Sequence, residues 1–191
     1  MRYRTILAAA VLALAGTACA GDDAESADSA AGGAPAAEAP SSGDDLTDVS
    51  NYRLSMDKVD RYFDAQLAIA RRIKDLSPEE RAPLEQMESS ANATLDDMAR
   101  RMESHPATRE GLREANISAR EFSTLTMAMV QAGMAASVLQ MRPNDNQDSL
   151  AREMKASMEN IRFMRENEAE ITRKQQELEA QLREMGVYEE S

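Results

Sequence analysis

Few residues in this chain carry reactive or ligating side chains, and their spacing narrows what they can do. His105 is the only histidine, and Pro106 follows it at a helix boundary. That setting predicts a solvated turn residue rather than a general base, which must lie within hydrogen-bond reach of the proton it takes. Methionine, by contrast, occurs 13 times. Met98 with Met102 and Met154 with Met158 are spaced i,i+4, which places two thioethers on one helix face. Soft thioethers suit Cu(I), so these four are the candidate metal ligands. The competing use is core filling, because Met fits irregular gaps in a helical interior with few aromatics, and all four fall on apolar seams. A third use is an adaptable surface for varied apolar partners. Core filling is the reading expected here, and no cofactor or metal is predicted.

Other chemistries lack their parts. A Gly-rich phosphate loop, H-E-x-x-H, G-x-S-x-G and paired C-x-x-C do not occur in the sequence. One histidine cannot supply the two Glu-x-x-His pairs of a di-iron bundle. Basic residues number 22 against 34 acidic ones, a net charge of −12, which argues against a nucleic-acid partner. The expectation is a non-enzymatic protein with no catalytic residue, serving a structural role or binding a protein partner.

The single cysteine, Cys19, follows a leader. Arg2 and Arg4 precede an apolar run, Ile6 to Ala15, too short to span a bilayer and suited to the core of a signal peptide. The run ends in Gly16-Thr17-Ala18-Cys19, which resembles the lipobox of bacterial lipoproteins, with Gly16 standing where that family usually has Leu. The resemblance implies cleavage after residue 18, lipidation of Cys19 and a membrane anchor facing the periplasm. More than one acyl chain is needed for stable anchoring. The alternative is ordinary cleavage at Ala18-Cys19-Ala20, giving a soluble secreted protein. Residues 19–48 are Ala, Gly, Ser, Pro and acids, with too little apolar surface to offset ordering entropy, and read as a disordered tether. Its root-mean-square reach as a flexible coil is about 30 Å.

Residues 49–191 are long enough for one core and show helical periodicity without strand alternation. The fold expected is all-α, an antiparallel bundle of four main helices plus one short helix. Its organising stretch is Ser118 to Met141, which carries no charge between Glu121 and Arg142. Apolar groups on every side predict a central helix covered all round. A membrane span is the competing reading, opposed by Ser123, Thr124, Thr126, Gln131, Ser137 and Gln140. Ser118 with Glu121 predicts a capping box, and Gly133 a close helix crossing.

The elements around it follow from the same signals. A first helix, with Ser55 at its cap and Leu54 stapled to Val59, carries Val59, Phe63, Leu67, Ala70, Ile73 and Leu76. A second opens at Ser77-Pro78 and runs through a kink at Pro83 along Leu84, Met87, Ala91, Leu95, Met98 and Met102. A short third helix spans about Ala107 to Ala115 and buries Leu112. The last runs from Ser149 to Met185 and is closed by Gly186. Unbroken it would measure about 55 Å, against about 35 Å for the central helix, so it either breaks near Asn160 or projects past the bundle. Gln131, Asn160 and Asn167 lie near the seams. They either fix register between helices or sit at seam edges in water.

Two further resemblances concern the body of the chain. Ser118 to Phe122, Gln131 to Met134, Asn160 to Phe163 and Asn167 to Glu170 resemble a set of small helical bacterial envelope proteins with no assigned activity. That likeness implies no site residue. Leu76-Ser77-Pro78-Glu79-Glu80 and Ile117-Ser118-Ala119-Arg120-Glu121 are similar to the Leu-Thr-x-x-Gln motif of periplasmic chaperones of the Spy type, without its Gln. This implies, as an alternative function, a chaperone or stress adaptor using an exposed Met-bearing face, with methionine-based copper binding as a second alternative.

Overall fold

The structure, a computed structural model, describes residues 43–85, 93–142 and 146–187. It is an all-α bundle, and among the described residues there is no strand. The helices are α1 (Gly43–Asn51), α2 (Met56–Lys74), α3 (Pro78–Glu85), α4 (Leu95–Ser104), α5 (Pro106–Glu114), α6 (Ala119–Met141), α7 (Gln147–Glu153), α8 (Met158–Glu166) and α9 (Glu168–Glu184).

α6 is the central helix expected. Its buried positions include Leu125, Met127, Met129, Ala132, Ala135 and Leu139, and also Ser123, Thr124 and Gln131. The helix is long and apolar enough to cross a membrane, yet most of that stretch is buried inside the bundle. Its hydroxyls are satisfied within the helix: Ser123, Thr124, Thr126 and Ser137 each donate to the carbonyl four residues earlier. Burial of these hydroxyls therefore leaves no donor orphaned. The covering is incomplete, however. Met134 is 41% and Met141 74% exposed, so the helix is not covered on every side.

The interior divides into three apolar clusters. The main one joins Val49, Val59, Tyr62, Leu95, Leu112, Leu125 and Met129. A second joins Ala135 and Leu139 of α6 to Leu150, Ala151, Ala156 and Ile161. The third is Ala70 with Leu178 and Leu182. α2 therefore has two working faces. The predicted stripe of Phe63, Leu67 and Ala70 meets α9. The face toward the main core is Val59, Tyr62, Ala65 and Ile69. Tyr62 is stacked on Phe122 at 5.0 Å and edge-on to Phe63 at 5.5 Å. Burial pushes its phenol up to about 12.

Three helix ends share one stop. At Asn116, Lys155 and Gly186 the backbone turns left-handed, with φ of 51, 55 and 70°. In each, the flanking amides bond back in the Schellman pattern, as when Ala156 donates to Ala151 O and Lys155 to Arg152 O. The stop at Lys155 divides the predicted last helix. It lies five residues before Asn160, and a second break follows at Asn167. The chain thereby folds back, and α9 lies along α2, tied by Lys174 to Asp60 at 2.7 Å.

Other boundaries also moved. The predicted second helix is described as two pieces, α3 and α4. Met87 and Ala91 lie outside the described residues. α4 starts afresh at a capping box in which Thr94 and Asp97 satisfy each other's backbone amides. The tether was expected to run to Asp48. Instead α1 begins at Gly43, and Asp45 is buried. Ser55 holds the N-cap position of α2 without a side-chain cap bond, and the staple residues Leu54 and Val59 are both buried.

Candidate functional site

The densest polar assembly surrounds the first turn of α6. Ser118 caps it by accepting from the Glu121 amide at 3.1 Å. The second half of the expected capping box is replaced, because the Glu121 carboxylate faces the Tyr52 hydroxyl at 3.3 Å and Arg61 at 3.6 Å. Burial, and then the Glu121 charge, push the Tyr52 phenol well above its ordinary range. The neighbouring Arg120 reaches the other way. Its guanidinium donates to Asp48 at 2.7 Å and to Asp96, with Asp45 at 4.0 Å. The bond to Asp48, ahead of the other acids, raises the Arg120 pKa further. Asp45 in turn accepts from the Leu95 amide at 3.1 Å, so an acid of α1 caps α4.

Asn160 completes this assembly from the other side. It is 2% exposed; its Oδ1 accepts from the Leu54 amide at 3.0 Å and its Nδ2 donates to the Tyr52 carbonyl at 2.7 Å. Of the two readings left open for it, register fixing is the one realised. Asn167 donates locally to the Phe163 carbonyl at 2.8 Å, and Gln131 is buried.

A shallow cavity of about 320 Å³ opens where α5 hands over to α6. Leu112 and Ile117 form its apolar wall, with Arg109, Arg113, Glu103 and Asn116 among its polar lining. Arg109 donates to the Glu103 backbone carbonyl at 3.2 Å, and this lining supplies hydrogen-bond donors but not the nucleophile and adjacent base that covalent catalysis uses. Among the described residues no three His, Cys, Asp or Glu side chains are placed to share a metal ion.

The predicted site residues are scattered. Cys19 lies outside the described residues. Met98 and Met102 lie on α4 and are half-buried, Met102 against the main core. Met154 and Met158 are also half-buried, but the chain turns at Lys155 between them. They do not share a helix face, so the i,i+4 basis for a copper pair is lost there. Gly133 is buried on α6. A close crossing is found at Gly111 of α5, where a Cβ would stand 2.6 Å from Ile69 Cγ1. His105 is not a solvated turn residue. It is half-buried between α4 and α5, its Nε2 is 3.3 Å from the Glu80 carbonyl of α3, and its Nδ1 is buried without a hydrogen-bond partner.

Sequence reasoning missed Arg120 and Asp45. Their roles come from acids far apart in the chain, and Asp45 looked like one more charge in an acidic linker. Comparison with protein-family models, with curated proteins and with solved structures gives no match.

Proposed function

We propose that this is a lipid-anchored protein of a bacterial envelope, facing the periplasm and acting without catalysis, by holding a protein partner or by a structural role. The observation that carries this reading is the placement of Cys19, the only cysteine, directly after a basic and apolar leader. Mass spectrometry of the mature N-terminus tests it. The expected result is a chain beginning at Cys19 and carrying diacylglyceryl and N-acyl groups; an unmodified start at Gly21 overturns the anchor. Chemical crosslinking in the native envelope, followed by recovery of the chain, is expected to capture a reproducible protein partner. Reproducible turnover of a small molecule by the purified chain would count directly against the non-enzymatic reading.

One observation favours a second reading, a chaperone acting on varied apolar segments. Val130, Met134, Val138 and Met141 follow one another at three- or four-residue spacing on α6, and the two methionines are exposed. Flexible thioethers on such a stripe suit changing partners. Suppression of aggregation of a reduced, unfolding protein by the wild type, abolished by Met134→Ser with Met141→Ser, is the expected result on this reading. Equal suppression by both forms removes it.

A further inference from the structure

The first helix sits between the N-terminal segment and the bundle, and the two ends of its attachment differ in kind. At its C-terminal end, the non-helical stretch from Tyr52 to Ser55 is held from the interior. Asn160 takes the Leu54 amide and the Tyr52 carbonyl, and the Tyr52 hydroxyl bonds Glu121. Over α1 itself the ties lie nearer the surface. Arg120 is 43% exposed at its side chain, and of its two partners on α1, Asp48 at 2.7 Å is 55% exposed while the more buried Asp45 stands at 4.0 Å. Exposed ion pairs of this kind contribute little individually. The buried contributions from α1 are Val49, 1% exposed in the main core, and Asp45, which caps α4.

Two adjacent residues of one helix thus divide the labour. Glu121 holds the hinge, and Arg120 holds the helix that swings from it. α1 has nine residues, too few to be stable away from its seat. Helices held by few apolar contacts and exposed ties open below the cost of global unfolding.

We propose that α1 is a hinged clasp: it opens from its seat on α4 and α6 about Tyr52–Ser55 while the rest of the bundle stays folded, and Arg120 is its catch. Opening withdraws Val49 from the main cluster and Asp45 from the Leu95 amide. It exposes the apolar seat and leaves the Leu95 amide at the start of α4 without its acceptor. A pull or a competing contact on the chain before Gly43 therefore acts on this seat first. The clasp couples whatever the N-terminal segment is attached to with the accessibility of the face beneath it.

Hydrogen exchange of the full chain, read by mass spectrometry, tests this in the wild type and in the Asp48→Asn and Arg120→Met variants. The informative amides are those of Thr47 to Asn51, because the first amides of a helix lack intrahelical partners. In the wild type their protection is expected to be measurable but about tenfold or more below that of α6. Asp48→Asn is expected to reduce it by up to about fivefold, and Arg120→Met, which removes the ties to both Asp48 and Asp45, by more, with α2, α6 and α8 unchanged. Three results overturn the proposal: α1 and α6 equally protected in the wild type, α1 unprotected from the outset, or both variants leaving α1 unchanged. Should Arg120→Met weaken the whole bundle, Asp48→Asn decides. A loss shared by α1 and α6 in that mild variant makes α1 part of the global unit and overturns the clasp.

Discussion

A methyl group at position 111 would stand 2.6 Å from Ile69 Cγ1 and under 3 Å from the Ile69 backbone. The side chain can turn aside; the backbone of α2 cannot. Replacing Gly by Ala inside a helix ordinarily gains about 1 kcal/mol. Here overpacking of a close crossing costs roughly 1–3 kcal/mol or more, so Gly111→Ala is expected to destabilise on balance. Urea unfolding measures the sign, and a more stable variant would mean that α5 stands further from α2 than described. At Asp97 the deciding atom is a proton. Bonding to Arg100 and then to Thr94 holds its carboxyl down at about 2, from an ordinary value of 3.8. A depressed folded pKa stabilises the fold above the ordinary value, and that contribution is lost as pH falls through the folded one. The melting-temperature gap between wild type and Asp97→Ala is therefore expected to be widest near neutral pH and to narrow from about pH 4 toward pH 2. A constant gap across that window would place the whole effect in the uncharged contacts.

At the scale of elements, the joint between α7 and α8 turns on Lys155 at φ 55°. A non-glycine residue in the left-handed region costs roughly 1–2 kcal/mol, while glycine adds chain entropy to the unfolded state. Lys155→Gly is expected to stabilise by about 0.5–1 kcal/mol net. In an unbroken helix the same change would cost about 1 kcal/mol, so the sign in thermal unfolding separates the two architectures. This joint also marks where the sequence stopped being legible. The stops at Asn116 and Gly186 use residues that tolerate the left-handed region, and both were readable; Lys155 carries no such signal. α6 was legible because twenty uncharged residues between Glu121 and Arg142 have few other solutions, and its cap at Ser118 is local. The second face of α2 was obscured because Ala65 and Ala68 suit core and surface alike. The assembly on α6 was not legible, since Asp45, Asp48 and Asp96 meet Arg120 only after folding. Asn160 could be flagged as an amide near a seam, but its partners are backbone groups 106 and 108 residues away.

For the molecule as a whole, the question is whether three clusters make one cooperative unit. They share helices. α6 supplies Leu125, Met127 and Met129 to the main cluster and Ala135 and Leu139 to the second. α2 supplies Val59, Tyr62 and Ile69 to the main cluster and Ala70 to the third. Because neither satellite can lose its shared helix without opening the main core, unfolding is expected to be close to two-state. Besides α1, an exception lies at the far end of α9, whose anchorage is small: Leu178 and Leu182 against Ala70, with the partly buried Phe63, Leu67 and Met185 beside them. Leu125→Ala, at a fully buried position, is expected to cost roughly 3–5 kcal/mol and to lower exchange protection evenly across α2, α4, α6 and α8. Leu182→Ala is also a large-to-small change in a buried site, but the end of α9 can open by itself before the rest. Its cost to global stability is therefore expected to be smaller, about 2 kcal/mol, with protection lost mainly after Leu178. Urea unfolding and hydrogen exchange on both variants decide the matter. Equal midpoint shifts, with protection lost everywhere in each, would place α9 inside the core unit. A Leu125→Ala variant that loosened only part of the bundle would mean that α6 spans two independent units.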